Sequence, residues 1–265
     1  MSTTFRVLID EIPDALDLEP DLDGVDWLED EPDLDRCPVH LYVHGVSTSA
    51  TELSVSASMT LDVRVSNGAS SEDWDLAFAV IELALDAADT VLVETEWGEV
   101  VTMDELRAHC DDPWRAAQLD SFARELIALD NRVVLPGPVR DTIVGPRVRR
   151  ELADATEPGP RLLEVIRRVQ WIVGPHFAAN AIVITAADGT MSSVAVIGPD
   201  LRYVLAPVER VLLEHGRELV VPGDVLDRLP GVSVTWLDDG HRLIPAVPEV
   251  KWAAVVTAAE PFRIV

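Results

Sequence analysis

Two short stretches of this chain have the residue types of a reactive site. His109 precedes Cys110, a pairing that in a positive field yields a thiolate nucleophile. The field here has the wrong sign. Both residues fall near the end of an expected helix, the negative pole of its dipole, and Asp111 and Asp112 follow. Cys110 is therefore expected to be structural, and Cys37, just beyond a run of carboxylates, is no better placed. His40 and His44 flank Tyr42 in a strand-like segment and would share one face. On a strand they stand about 13 Å apart, too far to ligate one metal ion.

The carboxylates offer a third chemistry. Residues 10–35 carry 13 acids and no base. Within them Glu19, Asp21 and Asp23 alternate before Gly24, with Asp30 at the twelfth place, a spacing like that of a calcium-binding loop. Glu at the first place, Asp30 in place of a bidentate Glu, Asp26 where an apolar residue belongs, and Pro20 all depart from that pattern. Loose cation association is the expectation. Trp27 and Leu28 lie inside the same tract. A bulky aromatic there needs a surface to cover, this protein's own or a partner's, and with Asp21, Asp23, Asp26 and Glu29 it forms the expected partner-binding set.

Arginines gather further on, at Arg140, Arg147, Arg149, Arg150, Arg161, Arg167 and Arg168. Guanidinium forks match carboxylate and phosphate geometry. The cluster is expected to neutralise the protein's own acidic half, with an anion site near the helix start at Pro146 as the alternative. Nucleic acid is excluded as a partner by the overall field. The 265 residues hold 47 acids against 21 bases, for a net charge of −26. Residues 1–130 account for −25 of it, so the acidity is concentrated and not a uniform coat. Walker, G-x-G-x-x-G, G-x-S-x-G, C-x-x-C and H-E-x-x-H motifs are absent from the sequence. No catalytic set, cofactor or membrane partner is expected. With no signal-like N-terminus and two cysteines, the expected location is the cytoplasm.

The elements that must position these groups follow from periodicity. Strands are expected at 4–9, 39–46 and 59–66, the last two separated by a Ser/Thr loop. Ser70 or Ser71 should cap a helix running to about residue 88. A hairpin should occupy 91–101, turning at Trp97-Gly98. Thr102 and Glu105 have capping-box spacing, and Asp112-Pro113 starts another helix with Leu119, Phe122, Leu126 and Leu129 inside. A short strand at 132–135 follows, and Pro146 and Pro160 open two more helices. The second of these presents Leu162, Ile166, Val169 and Ile172, with Glu164 and Arg168 paired outside. Asp188-Gly189 and Asp239-Gly240 should turn hairpins through two positive-φ residues. Between them come a strand at 202–206, an ambiguous segment at 208–215 and a short helix near 224–229. A final strand is expected at 250–257.

The mixture without regular βαβ alternation predicts an α+β fold with mixed or antiparallel sheets and packed helices. The expected organisation is an acidic segment (1–35), an α+β subdomain (36–150) and a second with hairpins (151–265), or all three as one domain. The favoured function is a non-enzymatic accessory protein that binds a basic protein, in the manner of an inhibitor, immunity protein or chaperone. The alternatives are a carboxylate-based enzyme, with or without a divalent metal, and a housekeeping domain whose acidity tunes solubility.

Overall fold

Alternation of inward and outward side chains puts the N-terminal strand inside a sheet. In β1 (Ser2–Leu8) Thr3, Phe5 and Val7 are buried while Arg6 and Leu8 face outward. The computed structural model describes residues 2–179, 181–185, 189–214 and 218–264. They divide into two compact units, Met1–Trp171 and Ile172–Val265, and the class is α+β. The division falls after Trp171 and not near residue 150, because Leu162, Val165 and Ile166 pack with Leu119, Phe122 and Leu126 in one apolar cluster. Residues 1–35 belong to the first unit, since Phe5, Ala15, Leu18 and Leu34 all lie in its main core.

In the first unit, β1 joins β2 (Val25–Trp27), β3 (Val39–Val43), β4 (Thr51–Val55), β5 (Thr60–Ser66), β6 (Leu92–Thr95) and β7 (Val100–Thr102). The order is β2-β3-β4-β5-β1-β6-β7, antiparallel throughout. Helix α1 (Ser71–Ala87) covers one face with Trp74, Phe78, Val80, Ile81 and Leu85. Its start is the expected one: Ser70 and Asp73 form a reciprocal capping box. Thr102 and Glu105 do the same for α2 (Met103–His109). The hairpin of β6 and β7 turns through Gly98 at φ +85°.

Helix α3 (Asp112–Ala128) begins one residue earlier than expected, with Asp111 as its cap. Leu119, Phe122 and Leu126 are buried; Leu129 lies past the end and is exposed. Then come β8 (Val133–Leu135), β9 (Thr142–Val144), α4 (Pro146–Ala153) and α5 (Pro158–Gln170). The last starts at Pro158, so Pro160 sits in the first turn, where its missing N–H does no harm.

Three expectations fail here for one reason, that local pattern was read without the neighbouring strand or helix. Residues 51–55 are a strand and not part of a loop, because Glu52 and Leu53 pair with β3 on one side and β5 on the other. Glu164 meets Arg161 rather than Arg168, which reaches Glu151 on α4. The segment 250–257 is helical.

That segment is α6 (Glu249–Ala259) of the second unit, which follows Pro248 and buries Trp252, Val255, Val256 and Ala259 at helical spacing. The other elements are β10 (Phe177–Ala179), β11 (Ile182–Thr185), β12 (Met191–Ile197), β13 (Tyr203–Leu205), β14 (Arg210–Glu214), β15 (Glu218–Pro222), β16 (Thr235–Trp236) and β17 (Arg242–Ile244). They form two four-stranded sheets, β11-β12-β14-β15 and β10-β13-β17-β16, around one core. β10–β13 and β12–β14 are parallel, so the sheets are mixed. A 3-10 turn spans Gly223–Arg228. β11 and β12 form the expected antiparallel pair; Asp188 of its turn lies outside the described residues. The Asp239-Gly240 turn joins β16 to β17 without positive φ at either residue. Asp238 holds it instead, its carboxylate accepting from the Gly240 and His241 N–H groups at 2.7 and 2.5 Å.

Candidate functional site

The acidic tract is folded. Asp14 caps a 3-10 turn, Ala15–Leu18, by accepting from the Leu16 N–H at 3.0 Å. Ala15, Leu18, Pro20 and Leu34 are buried and pin the tract to the sheet. Gly24, at φ +83°, turns the chain into β2, and its carbonyl accepts from the His44 N–H at 2.7 Å. β2 then pairs with β3, Val25 opposite Val43 and Trp27 opposite Leu41. Anchored in this way, 11 of the 13 carboxylates between residues 10 and 35 remain exposed. Among the described residues, Arg36, on Asp33 at 2.9 Å, is the one arginine that pairs with this tract.

Trp27 covers its own fold. It packs on the main core, and its indole N–H donates to Glu19 at 2.6 Å. The exposed apolar groups of the tract are Ile12, Leu16, Leu22 and Leu28. Asp21 and Asp23 stand free on the surface, while Asp26 accepts from the Tyr42 hydroxyl at 3.2 Å. Burial, reinforced by the Asp26 charge, pushes the Tyr42 hydroxyl above its ordinary pKa. The calcium-loop arrangement of Glu19, Asp21, Asp23 and Asp30 does not form. Glu19 is turned to the indole, and among the described residues no three His, Cys, Asp or Glu side chains gather to hold a metal ion.

Next to this tract the face of the sheet turned away from its buried residues carries a charged row. His40 on β3 stands opposite Glu52 on β4, and Glu52 opposite Arg64 on β5. The side chains follow that register. Glu29 meets His40 Nδ1 at 2.8 Å, His40 Nε2 lies 3.8 Å from Glu52, Arg64 is 3.6 Å from Glu52, and Arg64 Nε donates to the Ser2 hydroxyl at 2.6 Å. The row lines a cleft of about 430 Å³ together with Leu28, Phe122, Val134, Leu135 and Pro136. His44 lies past the end of β3, its ring 5.1 Å from Trp171. Glu52, Arg64 and Ser2 were not expected at a site. Glu52 and Arg64 alternate with apolar residues in the sequence, and only the pairing of β3, β4, β5 and β1 brings them and Ser2 into line.

The arginines are largely occupied within their own unit. Arg161 and Arg168 share Glu151, and Arg161 also meets Glu164. Burial raises Glu151, but the two guanidiniums hold it below the ordinary carboxylate range. Arg167 reaches Glu72 on α1 at 3.0 Å. Arg140 donates to the Val169 and Gln170 carbonyls, and Arg149 to those of Asn131 and Asp130. Arg147 and Arg150 lie exposed on α4. The set is thus spread over helix ends and ion pairs.

Cys110 is buried at the end of α2, and burial pushes its thiol up to about 11, Arg115 opposing and Asp111 assisting. His109 turns away and stacks on Trp97 at 5.0 Å. At pH 8 a maleimide is expected to label Cys37 alone, with Cys110 at least about 100-fold slower until the protein unfolds, since the thiolate is the reacting species. Equal labelling rates in the folded protein would contradict the buried setting. No known protein family, curated protein or solved structure matches this chain.

Proposed function

We propose that the chain is a non-enzymatic interaction protein that binds a basic polypeptide on the face formed by residues 10–35. One observation carries this reading: 11 exposed carboxylates are fixed on a segment anchored in the core, with Leu16, Leu22 and Leu28 exposed among them. An ordered acidic face needs little reorganisation to meet a basic one, and complementary fields speed association. The leucines supply apolar contact in the role that sequence assigned to Trp27. The cleft beside Leu28 extends the surface. A cytoplasmic setting belongs to this reading and is supported by two unpaired cysteines. Among the described residues no helix is long and apolar enough to cross a membrane.

The test is titration with a fluorescent polyarginine peptide and a pull-down from native lysate, each at low and high salt. Replacing Asp17, Asp21, Asp23 and Asp30 with Asn and Glu31 with Gln is expected to weaken peptide binding by about 10-fold or more at low salt, with the difference vanishing at high salt. Unchanged binding by this variant, or capture of no basic protein at either salt, sinks the reading and leaves solubility as the role of the acids.

A carboxylate-based enzyme is favoured by the cleft, which is lined by His40, Glu52 and Arg64, with Glu29 held on His40. Against it, both ring nitrogens of His40 face carboxylates and Glu52 faces a guanidinium. Each group already has a partner, as in a solvated charge ladder.

A further inference from the structure

Strand β11 is the outermost of its sheet and, among the described residues, pairs on one side only, with β12, from Ile182 opposite Val194 to Thr185 opposite Met191. The other side presents the main-chain N–H and C=O groups of a sheet edge. All four of its side chains are exposed, including Ile182 at 57%, Val183 at 58% and Ile184 at 49%. Proteins guard such edges with charge, proline or a covering segment. The opposite edge of this sheet has such guards: β15 ends in Pro222, and the Ile264 N–H bonds to the Val220 carbonyl at 2.9 Å. In the first unit the edge strand β2 carries Asp26. Among the described residues, β11 has none of these.

Charge decides what can cover it. Residues 177–197 contain one charged side chain, Asp188, in a chain with 47 acids and 21 bases. A basic partner finds nothing to pair with there. Two copies of a chain with a net charge of −26 repel each other, and the repulsion is weakest where they meet on neutral surface. The sequence Ala181-Ile182-Val183-Ile184-Thr185 is nearly symmetric about Val183. Laid antiparallel on itself, it sets Ile182 against the second copy's Ile184 and Val183 against Val183, with β-branched pairs on both faces. Inward on the same face Ile182 stands beside Val194 and then Arg210, and Ile184 beside Ser192, so the neutral strip is that of β11 and β12.

We propose that β11 pairs antiparallel with β11 of a second copy, about a twofold axis through Val183, joining two four-stranded sheets into one. The pairing does not depend on what residues 10–35 bind, and either reading can fail alone.

The full chain is tested by sedimentation equilibrium from micromolar to sub-millimolar concentration, where a mass twice that of the chain is expected. In a Cys37→Ser background, Val183→Cys is expected to form a disulfide-linked dimer on mild oxidation. Paired Cα atoms at a strand crossing lie about 4.5–5.5 Å apart, within disulfide reach. Val250→Cys, on α6 off the edge and more exposed still than Val183, serves as the control that stays monomeric. Ile182→Lys with Ile184→Lys is expected to raise the dimer dissociation constant about 100-fold or more. A wild type that remains a monomer throughout overturns the proposal. So does a dimer that survives both lysines, or one in which Val183→Cys links no better than the control. The cysteine variant leaves the edge nearly native, so the pairing is tested even where the lysines disturb the hairpin.

Discussion

Asp73→Ala is expected to destabilise the first unit by about 4 kcal/mol, because it leaves several buried donors without an acceptor. The carboxylate is completely buried, and its Oδ2 accepts from the Thr48 N–H at 3.0 Å, the Thr48 hydroxyl at 2.7 Å, the Ser49 N–H at 3.3 Å and the Ser70 N–H at 2.8 Å. One side chain therefore caps α1 and ties the loop before β4 to it. Asp73→Asn keeps one acceptor oxygen and buries an amide N–H₂, so about 2 kcal/mol is the expected cost. Denaturant unfolding followed by tryptophan fluorescence measures both. A cost under about 1 kcal/mol for alanine would mean that water replaces the carboxylate and that the loop is not held as described.

Burial also pushes the Asp73 carboxyl above its ordinary value of 3.8, against the pull of hydrogen bonds from Ser47, Ser70 and Thr48. Below 3.8 both the folded and unfolded chains hold the proton. As pH rises through the window between 3.8 and the higher folded value, the unfolded chain releases it first, and the contribution of Asp73 to stability falls. Asp73→Asn has no proton to release. It is expected to lose less stability than the wild type across that window, and a parallel pH profile for the two would refute the assignment.

Trp252→Ala is expected to cost the second unit about 3–5 kcal/mol. The indole is 1% exposed in the core beneath α6, and its N–H donates to the Glu214 carbonyl at 2.7 Å. Trp252→Phe retains most of the apolar volume and loses the hydrogen bond, for an expected cost of about 1–2 kcal/mol. The same measurement separates helix from strand in this segment. In the helix, Ala253 and Ala254 face outward, so Ala253→Glu and Ala254→Lys should change stability by less than about 0.5 kcal/mol. In a strand, Ala254 would share the face of Trp252 and the lysine would be costly.

These two sites show what the sequence makes legible. The capping box at Ser70 and Asp73 is written in four adjacent residues, so the start of α1 can be placed from sequence, as can the start of α2. What cannot be seen locally is that Asp73 also accepts from a loop 25 residues earlier. The run around Trp252 has strand-like composition, and its helical state depends on the Pro248 start and on a core that accepts Trp252, Val255, Val256 and Ala259 along one stripe. β4 is short and rich in Ser and Thr, and becomes a strand through its neighbours on both sides. The acidic tract was visible as composition, but its order was not, because Ala15, Leu18 and Leu34 are too widely spaced to announce a buried face. Trp27, expected in the partner-binding set, packs on the core of its own unit.

The charged row across the first sheet also fixes how its strands align. A slip of two residues is the smallest that keeps Leu53, Val63 and Phe5 pointing inward. In one direction such a shift between β4 and β5 brings Glu52 opposite Asp62, and between β1 and β5 it brings Arg6 opposite Arg64. Like charges face each other in those misaligned forms, whereas the native alignment sets Glu52 against Arg64 and Arg6 against Asp62. The polar side of the sheet thereby distinguishes between alignments that its apolar side would accept equally.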